Sequence, residues 1–208
     1  MKAEILSLRI IHDGWTKFGL AKVRLADGTE AEREIEDHGN SVGVLPYDPE
    51  RRVATLVREL RVPPLYVSGE QSQLEAPAGL IDDGSPEENA RREVLEETGL
   101  RLHDLESVGT TYSCAGISTE QIHLFLAPYR TTDRETGGGG AEGEHENIKV
   151  VEMSLSDLAG MAATGQVRDL KTLALVLALQ ARHPRLFAAE GDSREAVLTP
   201  DEGARPGQ

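Results

Sequence analysis

Apolar and polar positions alternate along the first third of the chain in short runs, and the runs set out a series of strands. Ile5 to Ile11 and Leu20 to Leu25 read as strands, and Thr29 to Ile35 reads as a return strand after the turn signal Ala26-Asp27-Gly28-Thr29. Ser41 to Leu45 and Val53 to Val57 are short apolar strands around Pro46-Tyr47-Asp48-Pro49, which reads as a turn. Pro63 to Ser72 holds two prolines and a glycine and reads as a loop. The pattern then becomes helical. Ser85 is placed as N-cap, Pro86 at the first helical position, Glu88 three residues after the cap, and Gly99 at the far end, which predicts a helix over Pro86 to Thr98. Strands near Ser107 to Tyr112, Gln121 to Pro128 and Ile148 to Met153 follow, then helices at Ser156 to Ala163 and Asp169 to Ala181.

Strands and helices mix without a regular βαβ alternation, so the pattern favours an α+β or layered arrangement over a Rossmann sheet. The organisation expected is a small N-terminal antiparallel β subdomain (1–38), a main domain (39–184) and a flexible C-terminal tail (185–208), polar and containing Gly and Pro. The N-terminal meander leaves an apolar face to bury, which points to a homodimer.

Composition narrows the partners. The 208 residues carry 36 acidic and 22 basic side chains, a formal net charge of −14. Such a surface repels a nucleic-acid backbone, and a small phosphorylated ligand would need a local cationic patch or a metal ion. The single cysteine, Cys114, rules out an internal disulfide. No stretch approaches a membrane span or a secretory signal, and the expected location is the cytoplasm. The six histidines show no zinc-like spacing with the cysteine and read as structural or surface residues.

The chemistry concentrates on the predicted helix. Glu96 and Glu97 lie three and four residues after Glu93, so all three project from neighbouring positions on one face. For a lone ExxEE, a solvated acidic face with Arg91 and Arg92 as ion-pair partners is the commoner explanation. Mg²⁺, however, takes oxygen ligands and bridges carboxylates to phosphates, and such a cluster suits it.

The flanking residues decide. Arg92-Glu93-Val94-Leu95-Glu96-Glu97-Thr98-Gly99-Leu100, with Gly79 upstream, resembles the signature of the Nudix hydrolase family, G-x5-E-x7-R-E-U-x-E-E-x-G-U. Gly79 to Arg92 is one residue shorter than that pattern, and Ser85 stands in the slot of the first Glu. The shortened box is similar to that of the GDP-mannose pyrophosphatase branch, a relative of the ADP-ribose pyrophosphatases. Glu32-Arg33-Glu34, Val57-Arg58-Glu59-Leu60-Arg61, Thr119-Glu120, the Gly137 to Gly140 run with Glu144 and Glu146, and Arg168-Asp169-Leu170-Lys171-Thr172 are similar too.

The resemblance implies an α/β/α sandwich with a mixed sheet. It implies Mg²⁺, with Mn²⁺ as the alternative ion, held by Glu93, Glu97, the Ala78 carbonyl and Glu146. Glu96 is a further ligand or supports one. Glu146 is first choice for the general base and Glu144 second. Trp15, Arg33, Glu34, Arg61, Ala78, Gly79, Leu80, Glu120 and Lys171 are the substrate-binding candidates. Trp15 stacks on a base or packs in a core or dimer face; Arg33 and Arg61 contact substrate or are ordinary surface charges. The implied reaction is hydrolysis of a nucleoside diphosphate sugar, GDP-mannose to GMP and mannose 1-phosphate, or alternatively ADP-ribose to AMP and ribose 5-phosphate. A Nudix-fold nucleotide-binding module with weak catalysis is the reading from another class.

Overall fold

The computed structural model describes residues 2–140 and 147–188. Three strands, β1 (Glu4–Asp13), β2 (Lys17–Arg24) and β3 (Glu30–Asp37), form an antiparallel sheet in that order. The turn between β2 and β3 closes as its residues demand. Gly28 takes φ 89°, its N–H donates to Leu25 O at 2.9 Å, and Asp27 Oδ1 accepts from Thr29 N at 2.9 Å. Ile5, Leu8, Ile10 and Ile11 of β1 remain exposed, so this small sheet buries little of its own apolar surface.

The larger sheet runs β10-β5-β4-β9-β8, from β4 (Ser41–Asp48), β5 (Val53–Glu59), β8 (Glu106–Tyr112), β9 (Gln121–Pro128) and β10 (Lys149–Ser154). Two three-residue strands join it, β6 (Gln73–Glu75) on β5 and β7 (Ala78–Leu80) on β4. β4 and β9 pair in parallel, and the other pairs are antiparallel, so the sheet is mixed.

The period of two along each strand splits the core between the faces. Val42 and Val44 of β4, with Phe125 and Ala127 of β9, pack against Ala90 and Val94 of α2 (Pro86–Thr98). Leu45, Tyr47, Leu124 and Leu126 face the other way, onto Leu155 and Leu158 of α3 (Leu155–Ala163) and Leu175, Val176 and Leu179 of α4 (Leu170–Arg182). All eight residues of β4 are buried, because helices cover both its faces. Each of these Val or Leu side chains contributes about 1.5–3 kcal/mol by leaving water. The layers are those of an α/β/α sandwich.

Two local expectations are corrected. The residues read as a turn at 46–49 are largely strand: β4 continues through Pro46 and Tyr47, which lie beside Ala127 and Pro128. The turn comes afterwards, where Asp48 Oδ1 accepts from Glu50 N and Arg51 N at 2.9 and 3.0 Å and Arg52 takes φ 53°. The loop expected over 63–72 begins as a helix, α1 (Val62–Ser68). Its prolines sit in the first turn, where the missing N–H has no partner to lose, and Gly69 ends it at φ 72°. The helix start signal at Ser85 is met in full: Glu88 N donates to Ser85 Oγ at 3.2 Å and Ser85 N to Glu88 Oε2 at 2.7 Å.

The smaller sheet is joined through backbone to the loop between β8 and β9. Glu36 N donates to Ile117 O, and Thr119 N donates to Glu36 O, each at 2.9 Å. Among the described residues, no helix is long and apolar enough to cross a membrane. Residues 189–208, the bulk of the expected tail, lie outside the described residues.

Candidate active site

β7 lies against α2, and one glycine sets how closely. A Cβ built on Gly79 would fall 2.0 Å from Cδ of Glu93, so the carboxylate occupies the space that any other residue would fill. Glu93 is held there by Arg92, whose Nη2 stands 2.7 Å from Glu93 Oε1. The same guanidinium donates to Glu96 Oε2 at 3.0 Å, to Asn89 Oδ1 at 3.0 Å and to Leu80 O at 3.5 Å. Arg92 thus straps two of the acidic residues together and ties the helix to β7. Burial works against its charge, but Glu93 and Glu96 more than offset that and raise its pKa above the ordinary arginine value.

The three glutamates of the helix differ in surroundings. Glu97 is buried, at 4% exposure, Glu93 is mostly covered, and Glu96 lies furthest toward solvent. Glu97 faces the Arg61 side. Burial depresses the Arg61 pKa, but hydrogen bonds and charge from Glu75, then the fields of Glu59 and Glu97, raise it overall.

The C-terminal end of α2 is closed by a segment far along the chain. Its last carbonyls would be orphans. Gly99 N–H serves Leu95 O at 2.9 Å, Gly140 N–H serves Glu96 O at 3.1 Å, Gly139 N–H serves Glu97 O at 2.8 Å, and Arg134 Nη1 serves Thr98 O at 2.6 Å. Gly138, at φ 68°, passes so near that a Cβ would lie 2.3 Å from Glu97 O. The glycine run is therefore docked on the helix through Gly138, Gly139 and Gly140. Glu144 and Glu146 lie outside the described residues.

A cleft of about 460 Å³ opens beside this helix–strand contact. Trp15, Arg61, Ala78, Gly79, Leu80, Glu120 and Lys171, seven of the nine substrate-binding candidates, line it. Arg33 and Glu34 do not. They sit exposed on β3, an edge strand of the smaller sheet, and Arg33 Nη1 donates to Glu32 O at 2.8 Å.

At one side of the cleft, Trp15 projects from the turn between β1 and β2. It is 78% exposed, so it is not a core residue, and its ring stacks on His38 with centroids 5.1 Å apart and planes 16° apart. His38 Nδ1 lies 2.5 Å from Glu36 Oε1 and its Nε2 3.7 Å from Glu120 Oε2. Glu120 Oε1 accepts from Ser41 Oγ at 2.5 Å. His38, one of the six histidines that read as structural or surface residues in sequence, is a wall of the cleft.

At the other side sits a residue that sequence reasoning missed. Glu75, 2% exposed, receives Arg61 Nε and Nη2 at 2.9 and 3.0 Å and also binds Lys171 Nζ. Burial pushes its carboxyl up, but the two cations more than reverse this, and it is held below the usual carboxylate range. Its one sequence signal is an acid flanked by the apolar Leu74 and Ala76.

The fit to a divalent cation rests on donor chemistry. Among the described residues, no group of three His, Cys, Asp or Glu side chains stands together as a metal site. The described part of the expected set is two carboxylates, Glu93 and Glu97, and one backbone carbonyl, that of Ala78. All are hard oxygen donors of the kind Mg²⁺ and Mn²⁺ accept. The Gly79 cradle brings Glu93 onto the strand that carries the Ala78 carbonyl. Cys114 is free and exposed.

Comparison with known proteins agrees with the geometry. The NUDIX domain family matches residues 37–176. A GDP-mannose pyrophosphatase of Cronobacter sakazakii is 41% identical over 152 residues, covering 72% of this chain and 78% of that protein. A GDP-mannose pyrophosphatase of Escherichia coli is 38% identical over 152 residues, covering 73% and 78%. A solved structure of an ADP compounds hydrolase shares the fold, with a TM-score of 0.72 at 18% identity over 88% of this chain and 94% of that one. With the helix, its acidic face and the glycine that receives it in place, the chain belongs to the Nudix family.

Proposed function

We propose that this protein hydrolyses the pyrophosphate of a nucleoside diphosphate sugar, converting GDP-mannose to GMP and mannose 1-phosphate. The observation that carries the reading is the seating of Glu93 in the space left by Gly79, on the helix that buries Glu97, beside a cleft lined by Arg61 and Lys171. The relatives named GDP-mannose pyrophosphatase supply the choice of base and sugar.

Nudix pyrophosphatases are generally dependent on a divalent metal. In this chain Glu93, Glu97, the Ala78 carbonyl and Glu146 would hold it, with Mg²⁺ the ion proposed and Mn²⁺ the alternative. When bound, it neutralises the diphosphate and lowers the pKa of a water. Glu96 supports Glu93 through Arg92. Glu146, or Glu144 in second place, takes the proton from the attacking water, whose oxygen joins one phosphorus as the bond to the bridging oxygen breaks. A well-placed base contributes typically 10²–10⁴-fold.

Arg61 and Lys171 offset phosphate charge, Trp15 stacks on the base, and Glu120 accepts hydrogen bonds from it or from the sugar. The exposed β1 face pairs with a second copy through residues 1–38. Arg33 and Glu34, remote from their own cleft, then serve the partner's. We place the protein in the cytoplasm, consistent with its single free cysteine.

The test is a panel of GDP-sugars, UDP-sugars and ADP-ribose with Mg²⁺, products separated by chromatography. GMP and mannose 1-phosphate from GDP-mannose at the highest kcat/KM is the expected result. AMP and ribose 5-phosphate from ADP-ribose at a higher kcat/KM would move the assignment to the sister activity. Turnover that survives Glu97→Gln unchanged would refute the site.

A further inference from the structure

One buried carboxylate in the cleft has no role in the reaction as set out above. Glu75 comes from β6, a strand of three residues paired with β5 through Val57. A carboxylate at 2% exposure is retained as an ion only if its desolvation is met by close opposite charge. Glu75 meets it with two cations that are 110 residues apart in sequence. Arg61, just after β5, forks onto both its oxygens, and Lys171, in the first turn of α4, lies on Oε2.

Because Arg61 Nη2 and Lys171 Nζ share Oε2, the two nitrogens stand within about 6 Å of each other, two hydrogen-bond lengths at most. Like charges at that separation repel, and Glu75 is what holds them there. The surroundings complete the clamp. Glu59 pairs with Arg61, and Asp169, the N-cap of α4, lies 3.1 Å from Lys171 Nζ. The stem of Lys171 is guided over Gly43, where a Cβ would come 3.5 Å from Lys171 Cδ. Both cations still line the cleft, and their remaining N–H groups are directed by the bonds already made.

We propose that Glu75 is a positioning residue that presents Arg61 and Lys171 as a pre-set pair to the anionic oxygens of the diphosphate. This rests on the pyrophosphatase reading. Glu75 does not touch substrate. It fixes where two cations wait, so binding does not require them to be brought together against their repulsion. Its loss therefore falls on ground-state binding, and KM carries the effect.

The experiment is a double-mutant cycle with GDP-mannose and Mg²⁺. Glu75→Gln raises KM at least tenfold with kcat within threefold of the parent. In a Lys171→Met background the same change alters kcat/KM less than threefold, because half of the pair is already gone. Glu75→Asp, which keeps the charge, recovers part of the loss and carries the same comparison if Glu75→Gln fails to fold. Equal fold-effects in both backgrounds, or a fall in kcat at unchanged KM, overturns the inference. A parent protein that releases no GMP from GDP-mannose and no AMP from ADP-ribose instead sinks the pyrophosphatase reading and takes this inference with it.

Discussion

Alanine at position 79 would place a methyl carbon 2.0 Å from Cδ of Glu93, and 2.2 and 2.4 Å from its two oxygens. Contact at those distances is impossible, so either the carboxylate or the strand gives way. If Glu93 rotates out, it leaves Arg92, now 2.7 Å away, and swings off the Ala78 side of the site. If β7 moves, it strains the pairing of Gly79 with Val42 at the centre of the sheet. Overpacking of this kind costs about 1–3 kcal/mol. In a chain of this size each kcal/mol lowers the melting temperature by about 2–4 °C. The catalytic cost is larger, because displacement of a positioned group by about 1 Å costs on the order of 10²-fold in rate. The measurement is kcat for GDP-mannose across a Mg²⁺ titration, with a melt on the same protein. Gly79→Ala is expected to lose about two orders of magnitude in kcat and to need more Mg²⁺ for half-maximal rate. A variant within threefold of the parent, with an unchanged Mg²⁺ requirement, would refute the argument that Glu93 must occupy this space.

Three further outcomes are expected. Ser85→Ala removes the hydroxyl that accepts from Glu88 N and donates to Glu88 Oε2, leaves the backbone half of the capping box in place, and costs about 1 kcal/mol, seen as a lower melting temperature with kcat nearly unchanged; a large loss of kcat would mean Ser85 acts in the site. Glu152 is held below its ordinary value of 4.5 first by the hydrogen bond from Arg51, against opposition from burial, with Arg134 and Tyr129 adding to the effect. A depressed carboxylate stabilises above its unfolded pKa and loses that contribution as pH falls through the folded one. Melting temperature should therefore drop below about pH 4.5, and less steeply in Glu152→Gln; equal slopes would show that this carboxylate does not matter. Ile10→Asp, on the exposed face of β1, should shift the sedimentation coefficient from dimer to monomer and lower activity on GDP-mannose; a parent that sediments as a monomer ends the dimer proposal.

Much of the architecture could be read from one dimension because its signals are local. The cap, box and terminal glycine of α2 lie within fifteen residues and specify both ends of the helix. The strand faces follow from alternation at Val42 to Leu45 and Leu124 to Ala127. The errors arose where one residue type has two uses. Pro63 and Pro64 break a helix interior yet start a helix well, and Pro46 extends a strand beside a parallel neighbour. The unread parts of the site depend on distance along the chain. Glu75 is defined by Arg61, 14 residues away, and Lys171, 96 away, and no pattern in sequence joins them. The docking of the glycine run is equally invisible in sequence, because its partners, the carbonyls of Glu96 and Glu97, belong to another element.

The backbone of Glu36 has a practical consequence for anyone who would exchange parts between relatives. Its N–H and C=O both bond to the 117–119 stretch, and His38, two residues on, carries the Trp15 ring. A graft of the first 38 residues alone would break into that seam and leave Ile117 O and Thr119 N facing a foreign chain. The transferable cassette is discontinuous. It comprises the small sheet together with the loop around 114–120, and a chimera that swaps both should keep its aromatic wall in register where one that swaps either alone should not.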